Sequence, residues 1–346
     1  VKILYAIAGE GMGHATRSKP IIDFLRRHHT VKIVAGGNAA TYLRRYFPVS
    51  WIASAYLVYR KNSIDQVLTV LLNLVRAPLY VISFVKMFVM LLVDRPQVLI
   101  TDFEPWSTYA ALLTGVRVVS IDNQQVLLHA RISLPEHHRW TRLWAWLVIR
   151  TIIPFAHATI IPSFFFPQLE STRAQYVSPI LRKGLRARRP VQGGHVLVYQ
   201  TSSTHHELLK VLKSFPRQSF VIYGFPKVVR EGNLRFKRFN EREFFDDLAA
   251  AKAVISNGGF SLLSEALSLR KPILSIPVQG HCEQLINAHY LQKLNYGLMA
   301  HTASHAVLKT FFARLRRYRE ALKALPRWNP SRELKAIEGV VEHVAT

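Results

Sequence analysis

Gly9-Glu10-Gly11-Met12-Gly13-His14 is the stretch that decides how this chain reads. It follows Ile3-Leu4-Tyr5-Ala6-Ile7-Ala8, an apolar run that predicts a buried strand. After it, Ala15 to Leu25 carries apolar residues at helical spacing. Glycines at a strand-to-helix turn let the backbone approach a ligand closely, which makes Gly11 and Gly13 candidate ligand contacts. His14 stands at the mouth of the helix, where an imidazole that titrates near neutrality can move a proton. The combination predicts a reaction site and not merely a phosphate cradle.

Working outward, the first half alternates strands and helices. Residues 31–37, 97–102 and 116–122 read as strands, 108–114 as a short helix, and 158–162 as the last strand of that half. The basic segment 182–190 ends in Pro190 and reads as the start of a linker. Strands then restart at 195–199, 220–224, 234–239, 253–256 and 272–277. This pattern predicts an α/β protein of two similar, parallel-sheet halves with a cleft between them. The expected division is 1–178, a linker over 179–192, and 193–346, with the last helix free to return to the first domain. Ligands of such sheets bind beyond the carboxyl ends of the strands.

The 346 residues suffice for two domains with full cores. Apolar residues make up 49% and charged residues 19%, which excludes a disordered chain. The net charge of +25 implies an anionic partner: nucleic acid, anionic lipid or a phosphorylated ligand. The single cysteine, Cys282, allows no internal disulfide and fits a cytosolic setting. The first residues enter a strand at once, so no signal peptide is expected. Residues 67–93 are the most apolar region, interrupted by Arg76, Pro78 and Lys86. Their basic punctuation suits a membrane interface better than a clean span; buried core helices are the alternative. Arg139-Trp140-Thr141-Arg142-Leu143-Trp144-Ala145-Trp146 reads equally as a headgroup-zone helix or a core helix.

A second strand–glycine–helix unit lies at Ser256-Asn257-Gly258-Gly259-Phe260-Ser261. Free amides at its helix start favour phosphate, and Glu265 in the first turns could accept two ribose hydroxyls. Thr201, Ser202 and Ser203 precede another helix and read as caps or diphosphate contacts. Glu283 and Gln284 offer paired acceptors and donors for sugar hydroxyls. No His/Cys cluster has zinc spacing, and the doublets His28-His29, His137-His138 and His205-His206 read as surface residues.

Taken together, these motifs resemble the GT-B glycosyltransferases, near the branch of MurG, the diacylglycerol sugar transferases and the nucleoside-diphosphate-sugar glucosyltransferases. Gly13-His14 with Pro20 resembles the segment whose histidine is the general base. Residues 101–106 resemble the segment carrying the acid that orients it, and 257–265 with Glu283, Gln284 and Asn287 resemble the donor signature. The first position of that signature is Asn257 where relatives often have histidine, its usual tryptophan is Phe260, and its usual aspartate before glutamine is Glu283.

The resemblance implies two Rossmann-like domains facing a central cleft and an inverting transfer from a nucleoside diphosphate sugar. UDP is the expected nucleotide, its base read by main chain near Phe239. His14 would be the base, Asp102 its orienter, and Glu104 the runner-up orienter or an acceptor contact. No metal or other cofactor is expected. Charge and apolar content point to a lipid or lipid-linked acceptor at an anionic membrane surface, on the cytoplasmic face of the cell membrane. Alternatives are a sugar-nucleotide 2-epimerase of the same fold and a basic nucleic-acid-binding protein. No nucleic-acid module is recognisable, so nucleic acid is not the expected partner.

Overall fold

The computed structural model describes residues 1–60, 63–135, 138–191, 193–200 and 206–346. Strand β1 (Lys2–Ile7) leads into α1 (Gly13–Leu25), β2 (Thr30–Ala35), α2 (Gly37–Leu43) and β3 (Val49–Trp51). A short hairpin follows, β4 (Tyr59–Arg60) and β5 (Ser63–Ile64), then two apolar helices, α3 (Gln66–Val75) and α4 (Ala77–Asp94). The first run closes with β6 (Val98–Asp102), α5 (Pro105–Thr114), β7 (Arg117–Ile121), α6 (Val126–His129), α7 (Arg139–Ile152), β8 (Ala158–Pro162) and β9 (Ala174–Val177). The second run begins with α8 (Lys183–Arg186), β10 (His195–Tyr199), α9 (His206–Lys213), β11 (Ser219–Tyr223), β12 (Arg230–Glu231) and β13 (Leu234–Phe236). It continues through α10 (Glu241–Ala250), β14 (Ala253–Ser256), α11 (Phe260–Ser268), β15 (Ile273–Ser275), α12 (Cys282–Lys293) and β16 (Gly297–Met299). Helices α13 (His305–Ala313), α14 (Leu315–Lys323) and α15 (Pro330–Ala345) end the chain.

These elements form two units. The first holds Val1–Leu57, Gln66–Arg182 and Asn329–Thr346; the second holds Val58–Asp65 and Lys183–Trp328. The first unit is built on a seven-stranded sheet in the order β3-β2-β1-β6-β7-β8-β9, parallel throughout. Its strands β1, β6, β7 and β8 are buried on both faces, which is why they read as continuous apolar runs. In the β1–β6 pairing Ile7 lies opposite Asp102, and the Ala8 amide donates to the Asp102 carbonyl at 2.9 Å. That register brings the glycine turn after β1 alongside the end of β6.

Helix α15 covers this sheet. Leu334, Ile337, Val341 and Val344 recur at helical spacing and pack with Ile3, Tyr5, Ile100 and Ile160 in one core. Asn329 caps the helix, accepting from the Ser331 and Arg332 amides, and Glu333 accepts from the Ser178 amide at 3.0 Å. His29 departs from the surface reading of the histidine doublets. Its side chain is 4% exposed and its Nε2 lies 3.2 Å from a Glu338 oxygen. His137 and His205 lie outside the described residues.

The second unit has its own seven-stranded sheet, ordered β12-β13-β11-β10-β14-β15-β16, with only β12 antiparallel. Hairpin β4–β5 belongs to this unit, the Ile64 amide donating to the Gln279 carbonyl at 3.3 Å. The division at residue 178 misses this exchange, because two-residue strands leave no periodicity to read. The 158–162 strand is not the last of its half, since β9 pairs with it in parallel. In the basic segment 182–190, Lys183, Arg186, Ala187, Arg189 and Pro190 are exposed, while Leu185 is buried and the Arg188 Nε donates to Asp246 at 2.9 Å.

Gly9 shows why the first turn needs glycine. A Cβ there would lie 2.5 Å from Ser54 Oγ and 2.6 Å from the Gly36 carbonyl carbon. The close approach is therefore to neighbouring protein backbone. Gly9→Ala should lower unfolding free energy by roughly 1–3 kcal/mol through overpacking, read from urea denaturation. An unchanged midpoint would contradict this packing.

Candidate active site

Asp102 ends β6 with no solvent exposure. A bare carboxylate in that position would be costly, so partners must surround it. They come from one helix face. His14, Arg17 and Ser18 stand at positions i, i+3 and i+4 of α1, which point the same way. His14 Nδ1 lies 2.6 Å from Asp102 Oδ1. Ser18 Oγ donates to Oδ2 at 2.9 Å, and Arg17 Nε donates to Oδ2 at 3.2 Å. Arg17 Nη2 donates to Oδ1 and also to Asp122 Oδ1, the latter at 3.2 Å. Asp122 directly follows β7 and is itself buried.

The carboxylate acceptor places the imidazole proton on Nδ1 and leaves the Nε2 lone pair as the basic atom. The His14 side chain keeps 15% of its surface exposed. Burial alone lowers the His14 pKa, but the charge and hydrogen bond of Asp102 outweigh it and the net shift is upward. Burial pushes Asp102 up, yet the neighbouring Arg17 and His14 hold it below the usual carboxylate range. Phe103 takes a left-handed φ of 57° after β6 and lies with its ring parallel to His14, centroids 6.0 Å apart.

Sequence reasoning missed Arg17 and Asp122. The available signal was an arginine three residues after His14 on a helix face otherwise filled by small and apolar side chains. His14, Asp102 and Asp122 are close enough to hold a cation. The guanidinium of Arg17, bonded to both carboxylates, already supplies the positive charge there.

Glu104 corrects the sequence assignment. Both its oxygens accept from backbone amides at the start of α5, from Trp106 at 3.1 Å and from Ser107 at 2.7 Å. It is fully buried, and burial raises its pKa. It caps the helix, with each oxygen accepting from an α5 amide.

In the second unit, the β14–α11 turn collects most of the other candidates. Gly258 takes a φ of 96°, and a Cβ there would lie 2.7 Å from Ser275 Oγ. Gly259 caps α11, whose first turn carries no acidic residue and no side-chain cap. Asn257 Nδ2 donates to the Ile276 carbonyl at 3.2 Å, and Phe260 is buried, so both hold the turn. Gln284 Oε1 accepts from the Val278 amide at 2.9 Å, which makes this oxygen a clip for the loop before α12. Glu283 Oε1 faces the Phe260 amide at 3.4 Å and Asn287 Nδ2 at 3.5 Å. Ser261 and Glu265 follow on α11, where Glu265 is buried. Phe239 stands on a different segment, between β13 and α10, half-exposed with its ring edge on Tyr223. Thr201, Ser202 and Ser203 lie outside the described residues.

Two parallel α/β units, each with a glycine turn from strand to helix and the first bearing a partly exposed histidine on a buried carboxylate, define a GT-B glycosyltransferase. The chain belongs to glycosyl transferase family 1, whose family model matches residues 1–316. An uncharacterized glycosyltransferase of Methanosarcina acetivorans is 25% identical, covering 86% of this chain and 85% of that protein. A UDP-N-acetylglucosamine–N-acetylmuramyl-(pentapeptide) pyrophosphoryl-undecaprenol N-acetylglucosamine transferase of Oceanobacillus iheyensis is 30% identical over a partial match, 37% of this chain and 42% of that protein. Among solved structures, a UDP-glucosyltransferase from Polygonum tinctorium shares the fold with a TM-score of 0.71 at 14% identity, covering 99% of this chain and 98% of that one.

Loss of the cap should cost stability and not chemistry. Glu104→Ala should destabilise by about 0.5–2 kcal/mol while turnover per folded molecule stays near wild type. A collapse of turnover at unchanged stability would return Glu104 to the catalytic set.

Proposed function

We propose that this glycosyltransferase inverts the anomeric centre, moving a sugar from a nucleoside diphosphate, UDP by resemblance, to a lipid or lipid-linked acceptor. The observation that carries the reading is the 2.6 Å contact between His14 Nδ1 and Asp102 Oδ1, which leaves Nε2 as a partly exposed base. For a hydroxyl acceptor, Nε2 takes the proton as the oxygen attacks the anomeric carbon from the face opposite the diphosphate. The bond from that carbon to the diphosphate oxygen breaks, and its electron pair leaves with the nucleotide. Asp102 stabilises the imidazolium formed. An acceptor phosphate already carries its charge and needs less of the base.

The N-terminus of α11 suits the charge of the departing diphosphate through its main-chain amides, with the Phe260 amide also facing Glu283 Oε1 at 3.4 Å. Glu265 is assigned to the ribose, main chain near Phe239 to the base, and Glu283 to the sugar. No metal is given a part in this route.

The acceptor assignment rests on the surface of the first unit. None of the α3 residues is buried, and Val75 is 78% exposed. Only Tyr80, Ser83, Met87 and Leu91 of α4 are buried. Among the described residues α4 is the one helix long and apolar enough to cross a membrane. Leu112 and Leu113 of α5 and Trp140, Trp144 and Trp146 of α7 are exposed as well. So much apolar area exceeds what a soluble surface leaves uncovered. Arg76, Lys86, Arg95, Arg139, Arg142 and Arg150 lie on or beside these helices, a composition that fits an anionic headgroup layer. The Oceanobacillus relative is named for a pyrophosphoryl-undecaprenol acceptor, in keeping with this reading. We place the enzyme on the cytoplasmic face of the cell membrane.

His14→Ala should cut release of the nucleoside diphosphate per folded molecule by about 10²–10⁴-fold. Because the base must be neutral and its pKa is raised, the acid limb of kcat/KM should lie above the ordinary histidine value of about 6.5. Retained release in the mutant would sink the assignment of the base. Replacing Leu71, Leu74 and Trp144 by serine should weaken flotation with anionic vesicles by roughly tenfold per residue. Full binding by the triple variant would remove the membrane from the reading.

A further inference from the structure

The two residues missed by sequence reasoning have charges that oppose each other around one imidazole. Arg17 Nη2 lies between two buried carboxylates, bonded to Asp102 Oδ1 on one side and 3.2 Å from Asp122 Oδ1 on the other. The same Nη2 is 3.2 Å from His14 Nδ1, and His14 and Arg17 share the Asp102 Oδ1 atom. Among the described residues, the charged groups facing the ring are Asp102 from β6, Arg17 from α1 and Asp122 after β7. The neutral Tyr5 phenol of β1 faces Asp102 and Arg17, and the Phe103 ring stacks beside His14.

We infer that Asp122 and Arg17 are opposed positioning residues for His14: Arg17 restrains its hold on a proton by sharing Asp102, and Asp122 restores that hold by offsetting Arg17. The charge count gives the direction. Two carboxylates and one guanidinium leave a net −1 beside a neutral imidazole, and protonation brings the cluster to zero. Without Asp122 the imidazolium would meet a guanidinium already balanced by Asp102, leaving a buried net +1. Without Arg17 the imidazolium would be, among the described residues that face the ring, the only cation beside two buried carboxylates. Removing the two residues therefore moves His14 in opposite directions, whereas loss of packing would move both variants toward a solvated histidine. Low local dielectric makes these terms large enough to read. The catalytic consequence rests on His14 being the base; the charge balance itself does not.

The test reads the imidazole without turnover. The His14 ring is titrated by two-dimensional NMR on protein labelled at histidine, with His14→Gln assigning the signal. Near-ultraviolet circular dichroism checks that each variant is folded. Asp122→Asn should lower the midpoint, Arg17→Gln should raise it, and Asp122→Glu should return it toward wild type. A shift of both neutral variants in the same direction, or no shift in Asp122→Asn, overturns the inference. Should Arg17→Gln fail to fold, Asp122→Glu decides: return of the midpoint toward wild type supports the charge balance, and a midpoint left at the Asp122→Asn value overturns it. Opposed shifts together with transfer that survives His14→Ala would keep the charge balance and discard only the role of His14 as base.

Discussion

A carboxylate without solvent access governs the N-terminal half of this molecule. Asp102 reaches that position because β6 is a central strand of a parallel sheet, flanked by β1 and β7 and buried on both faces. Leaving it unpaired would cost several kcal/mol. The partners that prevent this come from α1, which must present positions 14, 17 and 18 to the end of β6. That requirement sets the rotation of the helix and therefore the tight turn before it. Gly9, pressed against Ser54 and Gly36, is the local consequence. The same contacts that stabilise the anion orient the imidazole, so stability and chemistry share one set of atoms.

The second unit uses the strand–glycine–helix device to a different end. Its α11 carries no acid of its own in the first turn, Glu283 of α12 faces its Phe260 amide at 3.4 Å, and the neighbouring polar groups are engaged in holding the turn. Asn257, Gln284 and Asn287 bond to backbone carbonyls or amides around Gly258 and Val278. They shape the end of the helix and leave its amides to carry the electrostatics. In the first unit a side chain stands at the helix mouth; in the second the glycine turn presents main-chain amides there.

Much of this was readable beforehand, and the failures have physical reasons. The strands β1, β6, β10 and β14 announce themselves because burial on both faces demands unbroken apolar runs. His14 and Asp102 are legible as candidates because each closes or follows such a strand. Glu104 is misread because a carboxylate two residues after a catalytic-looking one carries no mark of where its oxygens point. In the fold they meet the amides of Trp106 and Ser107. Nor does the sequence show that Gln284 turns its Oε1 to the Val278 amide. Short elements such as β4, β5 and β9 fall below the length at which alternation can be counted.

The sequence by itself determined the α/β pattern, the two glycine turns, the excess of positive charge and the apolar stretch over 67–93. All of these are local properties, set by composition and spacing. Tertiary structure decided which atoms meet. It brought Arg17 and Asp122 into the cluster around Asp102, turned Glu104 into a cap, sent α15 back to the first sheet and hairpin β4–β5 to the second unit. It also decided that α3 buries no residue, so that its apolar length faces outward. Periodicity shows that a helix has an apolar side, but only the packed neighbours determine whether protein covers it.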